Sequence, residues 1–84
     1  FCSQGQGCDF IRDHDLSYKG DLPLNTGGGQ LSAGRFHGYG HTHEACLQLR
    51  GEAAERQVPR TPQIAAVTSG AEQFSSALLL GAPR

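Results

Sequence analysis

Apolar and polar positions along this chain fall into a helical period in one place. Phe36, Tyr39, His43, Cys46 and Leu47 share one face of a helix, and His37, His41, Glu44 and Gln48 share another. The apolar character of the first face predicts that it packs, His43 with it, and that Cys46 is core. Gly51 stands where a C-terminal cap belongs. Gly34, Gly38 and Gly40 weaken a helix interior, so the regular helix is expected from near Gly40 within a helical region 35–51. Two short apolar runs follow, Gln63–Ser69 and Ser75–Gly81, and predict antiparallel strands within 63–81. Neither run alternates cleanly; Ile64-Ala65-Ala66-Val67 and Ala77-Leu78-Leu79-Leu80 read as strands covered on both faces. Glu52–Pro62 is polar, ends in Pro59-Arg60-Thr61-Pro62, and reads as a surface connection. Residues 1–34 hold no sustained period; they predict a glycine-rich, irregular region with short strands at Asp9–Ile11 and Leu16–Tyr18.

Composition narrows this picture. A chain of 84 residues is one domain at most, and one of this size buries only about 60 % of the surface its unfolded form exposes. Twelve glycines are about twice the ordinary share, and each costs backbone entropy when ordered. A thin core with many glycines points to a piece that is buried against other chain. Cys2, Cys8 and Cys46 form an odd set with no Cys-x-x-Cys pair, which fits a reducing, cytoplasmic setting better than a disulfide framework or a zinc ribbon. No apolar run is long enough to span a membrane, and the start lacks the pattern of a signal peptide. A formal net charge of −1, with no basic stripe interleaved by aromatics, sets nucleic-acid binding aside.

The candidate chemistry lies between Leu22 and Glu44. Asn25-Thr26-Gly27-Gly28-Gly29 reads either as a solvent loop needing positive φ or as an active-site loop whose amides line a substrate channel, and its setting favours the second. No Gly-Lys-Ser/Thr follows, so a phosphate loop is not indicated. His37, His41 and Glu44, at i, i+4 and i+7, suit hydrogen-bonding histidines, acid/base or substrate-binding groups and, at the weakest, a metal set; no metal site is expected. Arg35 suits either a phosphate or carboxylate of a ligand or a neighbouring acidic side chain. The charged cluster Asp9, Arg12, Asp13, His14 and Asp15 reads as a solvated turn.

Taken together, Leu22-Pro23-Leu24-Asn25-Thr26-x-Gly28-Gly29-Gln30-Leu31-Ser32-x-Gly34, then His37-Gly38, His41, Glu44-Ala45 and Gln48-Leu49-Arg50-Gly51, resemble the C-terminal part of the thiolase superfamily. Within it the likeness is to thiolase-like lipid-transfer proteins and steroid side-chain aldolases. Phe1-Cys2-x-x-Gly5-x-Gly7, Gln57-Val58 and Ser76-Ala77-Leu78-Leu79-Leu80-Gly81 fit the same segment, so the resemblance covers nearly the whole chain. It implies an α/β fold class: residues 1–84 as a partial C-terminal domain of a layered thiolase-like fold, with an irregular N-terminal region, one buried helix and two antiparallel strands. The family's nucleophilic cysteine belongs to the other half of that fold, so none of Cys2, Cys8 and Cys46 inherits its role.

The resemblance further implies an acyl-CoA substrate, with coenzyme A as part of the substrate and no covalently bound cofactor. It implies carbon–carbon cleavage of retro-aldol type in lipid or steroid side-chain breakdown, a homodimer completed by the remainder of the thiolase fold, and a small zinc-ribbon/OB-fold partner protein. Candidates for base or carbonyl donor are His37, Tyr39 and His41; candidates for substrate contact are Asn25, Gly28, Gly29 and Arg35. At the position where thiolases carry the histidine of a Gly-His-Pro, and aldolase-type relatives a tyrosine, this chain reads Arg35, followed by Phe36. The family's acid/base cysteine has no counterpart; Ser69-Gly70 stands in its region. That departure keeps a second reading open, a non-catalytic lipid-transfer-like or structural subunit that assembles with a partner.

Overall fold

The chain closes on itself where its longest helix ends. The computed structural model describes residues 1–29, 34, 37–71 and 73–83, and in chain order these form α1 (Gly7–Asp13), α2 (Tyr39–Arg50), a 3₁₀ turn (Ala54–Arg56), β1 (Ile64–Ala71) and β2 (Phe74–Gly81). Helix α2 begins beside Gly40, as the pattern predicts. It stops at Gly51, whose φ of 72° places it in the left-handed region. The Gly51 amide donates to the Gln48 carbonyl (3.2 Å) and the Glu52 amide to the Leu47 carbonyl (2.9 Å), the paired bonds of a Schellman ending. The chain then folds back under the helix. Leu49, Ala53 and Val58 are buried there, with Gln48 among them. The stretch expected as a surface connection thus supplies part of the small core, because the reversal at Gly51 brings Ala53 and Val58 of this stretch back under the helix.

β1 and β2 pair antiparallel in a continuous register, from Ile64 opposite Gly81 to Ala71 opposite Phe74, so the strands run closer to the turn than the apolar runs alone suggest. α2 lies against β1 and, less extensively, β2. Ala65 and Val67 face the helix and are half-buried, whereas Ile64, Phe74 and Leu79 stand 71 %, 80 % and 72 % exposed. The cover expected on both faces is therefore present on one. The described residues form an α/β piece of two α-helices and one hairpin.

Two local expectations are corrected. Asp9–Ile11 is not a strand but the middle of α1. Local forces that a periodicity search does not register hold this short helix: Asp9 in the first turn and Arg12 in the last complement the helix dipole and pair at 3.3 Å. His14 stacks on Phe10 with ring centroids 3.8 Å apart, and Phe10 meets Phe1 at 5.1 Å. Leu16–Tyr18 is a turn, built where the Ser17 amide donates to Asp15 Oδ1 (2.9 Å) and the Gly20 amide to the Ser17 carbonyl (2.9 Å). On α2 the packed face also differs from expectation. Tyr39 is 74 % exposed and His43 is exposed, while Thr42, Ala45, Cys46 and Leu47 are partly covered. The helix turns its His41/Glu44/Gln48 side inward because that side meets polar partners from two other segments.

Candidate functional site

The loop that precedes α2 is anchored at its base, where the Leu24 amide donates to the Leu16 carbonyl at 3.1 Å. Asn25 follows with φ of 52°, a left-handed conformation that asparagine tolerates better than most residues. The Gly28 amide then donates to the Asn25 carbonyl (2.8 Å), closing a tight turn over Thr26 and Gly27. This turn sits on Glu44. Thr26 Oγ1 donates to Glu44 Oε1 at 3.1 Å, and a Cβ added at Gly27 would stand 3.1 Å from Glu44 Cγ, so a glycine lets the loop backbone approach the helix.

Beneath the turn lies a polar cluster. Arg56 grips Glu44 with a short Nη2–Oε2 contact of 2.8 Å and with Nε at 3.3 Å from both carboxylate oxygens. Gln48, only 5 % exposed, donates through Nε2 to Glu44 Oε1 (3.0 Å) and to the Arg56 carbonyl (2.8 Å), with Thr26 Oγ1 farther off at 3.3 Å. Its Oε1 accepts from the Val58 amide at 3.0 Å. Buried polar groups are costly unless bonded, and this cluster answers each of its members. Burial acts to raise the pKa of Glu44, but the hydrogen bonds from Arg56, Gln48 and Thr26 and the Arg56 charge outweigh it, and the carboxyl lies below its ordinary value. The Arg56 guanidinium is raised by the same hydrogen bond and charge from Glu44.

Between the loop, α2 and β1 opens a cleft of about 380 Å³, lined by Pro23 through Gly27, by His41, Glu44 and Ala45, and by Ala66, Val67 and Thr68. Of the residues singled out from the sequence, Asn25 and His41 meet at this cleft. His37, in the turn before α2, and Tyr39, the first residue of α2, are exposed and do not line it, and Gly28 and Gly29 are exposed beyond its rim. Arg35 and Phe36 lie outside the described residues. Among the described residues no group of three or more His, Cys, Asp and Glu side chains is placed to hold a metal ion; Glu44 is taken up by Arg56, Gln48 and Thr26. Cys2 and Cys8 are exposed, Cys46 is half-buried and all three are free thiols.

Sequence reasoning missed Thr26, Gln48, Arg56 and Thr68 as parts of this region. Thr26 and Gln48 both stand inside the motif, and Gln48 was visible on the His41/Glu44 face. Arg56 gave no local signal, since it reaches Glu44 across the turn at Gly51.

A profile of the thiolase C-terminal domain-like family matches residues 1–80. The chain belongs to that family. It is 39 % identical over all 84 residues to a steroid side-chain-cleaving aldolase of Thermomonospora curvata, of which it spans 21 %. It is 38 % identical over 81 residues, 96 % of the chain, to the 17-hydroxy-3-oxo-4-pregnene-20-carboxyl-CoA lyase of Mycobacterium tuberculosis, of which it spans 20 %. Human sterol carrier protein 2 is 41 % identical over 61 residues, 69 % of this chain and 11 % of that protein. No solved structure matches significantly. This thiolase-like chain thus spans about a fifth of the length of the aldolase and lyase. Among its described residues no helix is long and apolar enough to cross a membrane.

Proposed function

We propose that this chain works as the C-terminal part of a thiolase-fold lyase that cleaves a carbon–carbon bond in the side chain of a steroid or related lipid carried as a CoA thioester. The observation that carries this reading is the 39 % identity to a steroid side-chain-cleaving aldolase along the whole chain, which includes the loop and helix that bring Asn25 and His41 to one cleft. In a retro-aldol step a base removes the β-hydroxyl proton, the hydroxyl oxygen's electrons form a carbonyl, and the α–β bond breaks. Its electron pair passes to the α-carbon and is delocalised into the thioester carbonyl, which needs donors already in place. His41 is the candidate base, an imidazole being suited to proton transfer near neutrality. The Asn25 carboxamide is the candidate carbonyl donor, Gly28 and Gly29 are candidate substrate contacts, and Arg35 is the partner for an anionic group of coenzyme A. His37 and Tyr39 enter this scheme where the remainder of the fold covers the start of α2. A homodimer, a zinc-ribbon/OB-fold partner and a cytoplasmic setting belong to the same proposal.

The test uses the complete protein that carries this segment, with a steroid-CoA bearing a β-hydroxyl, and follows release of the ketone or aldehyde. His41→Ala is expected to lower kcat by about 10²–10⁴-fold with an unchanged melting temperature. Wild-type protein that binds such a thioester and never cleaves it overturns the lyase reading. A non-catalytic lipid-transfer-like or structural subunit would then remain. That second reading is favoured by the 41 % identity to sterol carrier protein 2 and by Arg35-Phe36 standing where thiolases carry His-Pro.

A further inference from the structure

We propose that Glu44 is the positioning residue that holds the Asn25 loop over the cleft, acting through Thr26 and Gly27 and itself locked by Arg56 and Gln48. The inference deepens the lyase reading and rests on it for its kinetic consequence; its structural half stands independently. Glu44 lines the cleft beside His41, a place where a carboxylate invites reading as an acid or base. Its geometry points elsewhere. An ionised carboxylate only accepts, through about four lone-pair directions, and here Oε1 receives Thr26 and Gln48 while Oε2 receives the short Arg56 bond. The side chain is 13 % exposed. A carboxylate so engaged has little freedom to take or give a substrate proton.

What it can do is hold the turn. Its oxygen carries the Thr26 hydroxyl, and its stem fills the space that a side chain at Gly27 would need, with Cγ and Cδ at 3.1 and 3.3 Å from that position. Asn25 directly precedes Thr26 and has its carbonyl in the bond that closes the turn. Moving Thr26 off Glu44 therefore moves Asn25 relative to His41, which α2 itself carries. The carboxylate is itself held, because Arg56 binds Oε2 and Gln48 shares Oε1 with Thr26 while fixed to the 56–58 backbone.

Two substitutions probe the link without deleting Glu44. Thr26→Val keeps the shape and loses the donated bond. Gly27→Ala removes no hydrogen-bonding group and, because φ at Gly27 is not positive, adds only the collision with Glu44. In the complete protein, hydrogen exchange of the bonded Leu24 and Gly28 amides is expected to rise about tenfold or more in both variants. Exchange in β1 and β2 should stay unchanged. With the steroid-CoA substrate, kcat per folded site should fall about tenfold or more while KM changes less than about threefold, since a misplaced group costs more at the reacting centre than in binding. Glu44→Gln, which keeps the acceptor for Thr26 but loses the ion pair, should fall between them and wild type. Unchanged exchange at Leu24 and Gly28 in both variants overturns the proposal whatever the activity. Raised exchange with an unaltered kcat per folded site overturns the positioning role. A wild-type protein without lyase activity removes the lyase reading alone, and the exchange result then decides whether Glu44 holds the loop.

Discussion

Glu44 shows how a single charge ties its local structure to pH. Burial alone would raise its pKa, yet the bonds from Arg56, Gln48 and Thr26 bring it below its ordinary value of 4.5. A carboxyl that binds its proton less readily when folded than when unfolded stabilises the fold fully above the unfolded value. That contribution is lost as pH falls through the unfolded value and on through the lower folded one. Melting midpoints of wild type and Glu44→Gln in the complete protein should therefore differ by a constant amount above about pH 5.5 and converge as pH drops from about 5 towards 3. A gap that stays constant down to pH 3 would show that Glu44 contributes nothing by its charge. The Arg56 side of the pair is about half exposed, so added salt should narrow the gap as well. At this scale the sequence was partly legible. Asn25, His41 and Glu44 stand in one motif and can be picked out by type and spacing. Arg56 cannot, because it lies beyond the end of the helix that carries Glu44, and only the reversal at Gly51 brings it back.

Among the elements, α2 depends on its ending more than its beginning. Gly38, its N-cap, offers no side-chain cap, whereas Gly51 closes two carbonyls in a left-handed conformation. Gly51→Ala should cost about 1–2 kcal/mol, the price of that conformation for a residue with a Cβ, and should raise exchange at the last turn of α2 before it affects the hairpin. Equal exchange across both elements would mean the cap is not limiting. Helix α2 and both strands were readable because each is long enough for period or run length to show. α1 was not, because its seven residues are held by an ion pair, a ring stack and dipole complementarity, which leave no apolar period. The orientation of α2 was missed for a related reason. Tyr39 and His43 look apolar enough to pack, but the polar face has the partners, and satisfied hydrogen bonds decided which side turned inward.

The described residues bury little of what the sequence offers. Among the described residues the buried apolar set is Leu49, Ala53 and Val58, while Ile64, Phe74 and Leu79 of the hairpin face outward. Apolar strands with one open face need a cover. The 84-residue polypeptide on its own should accordingly melt without a sigmoidal transition by circular dichroism, whereas β1 and β2 amides in the complete protein should be protected from exchange; a sharp isolated transition would refute this. One side chain nevertheless gives the small unit a definite handedness of assembly. Gln48 receives the Val58 amide on its oxygen and gives its nitrogen to the Arg56 carbonyl, which is the bonding of a peptide group in a neighbouring strand. The side chain impersonates a backbone. Asparagine, one methylene shorter, would not reach both groups, and glutamate would turn an acceptor towards the Arg56 carbonyl. Through this borrowed ladder the helix can lie on the 56–58 segment in one rotation only, and that rotation sets which way His41, two turns earlier, looks.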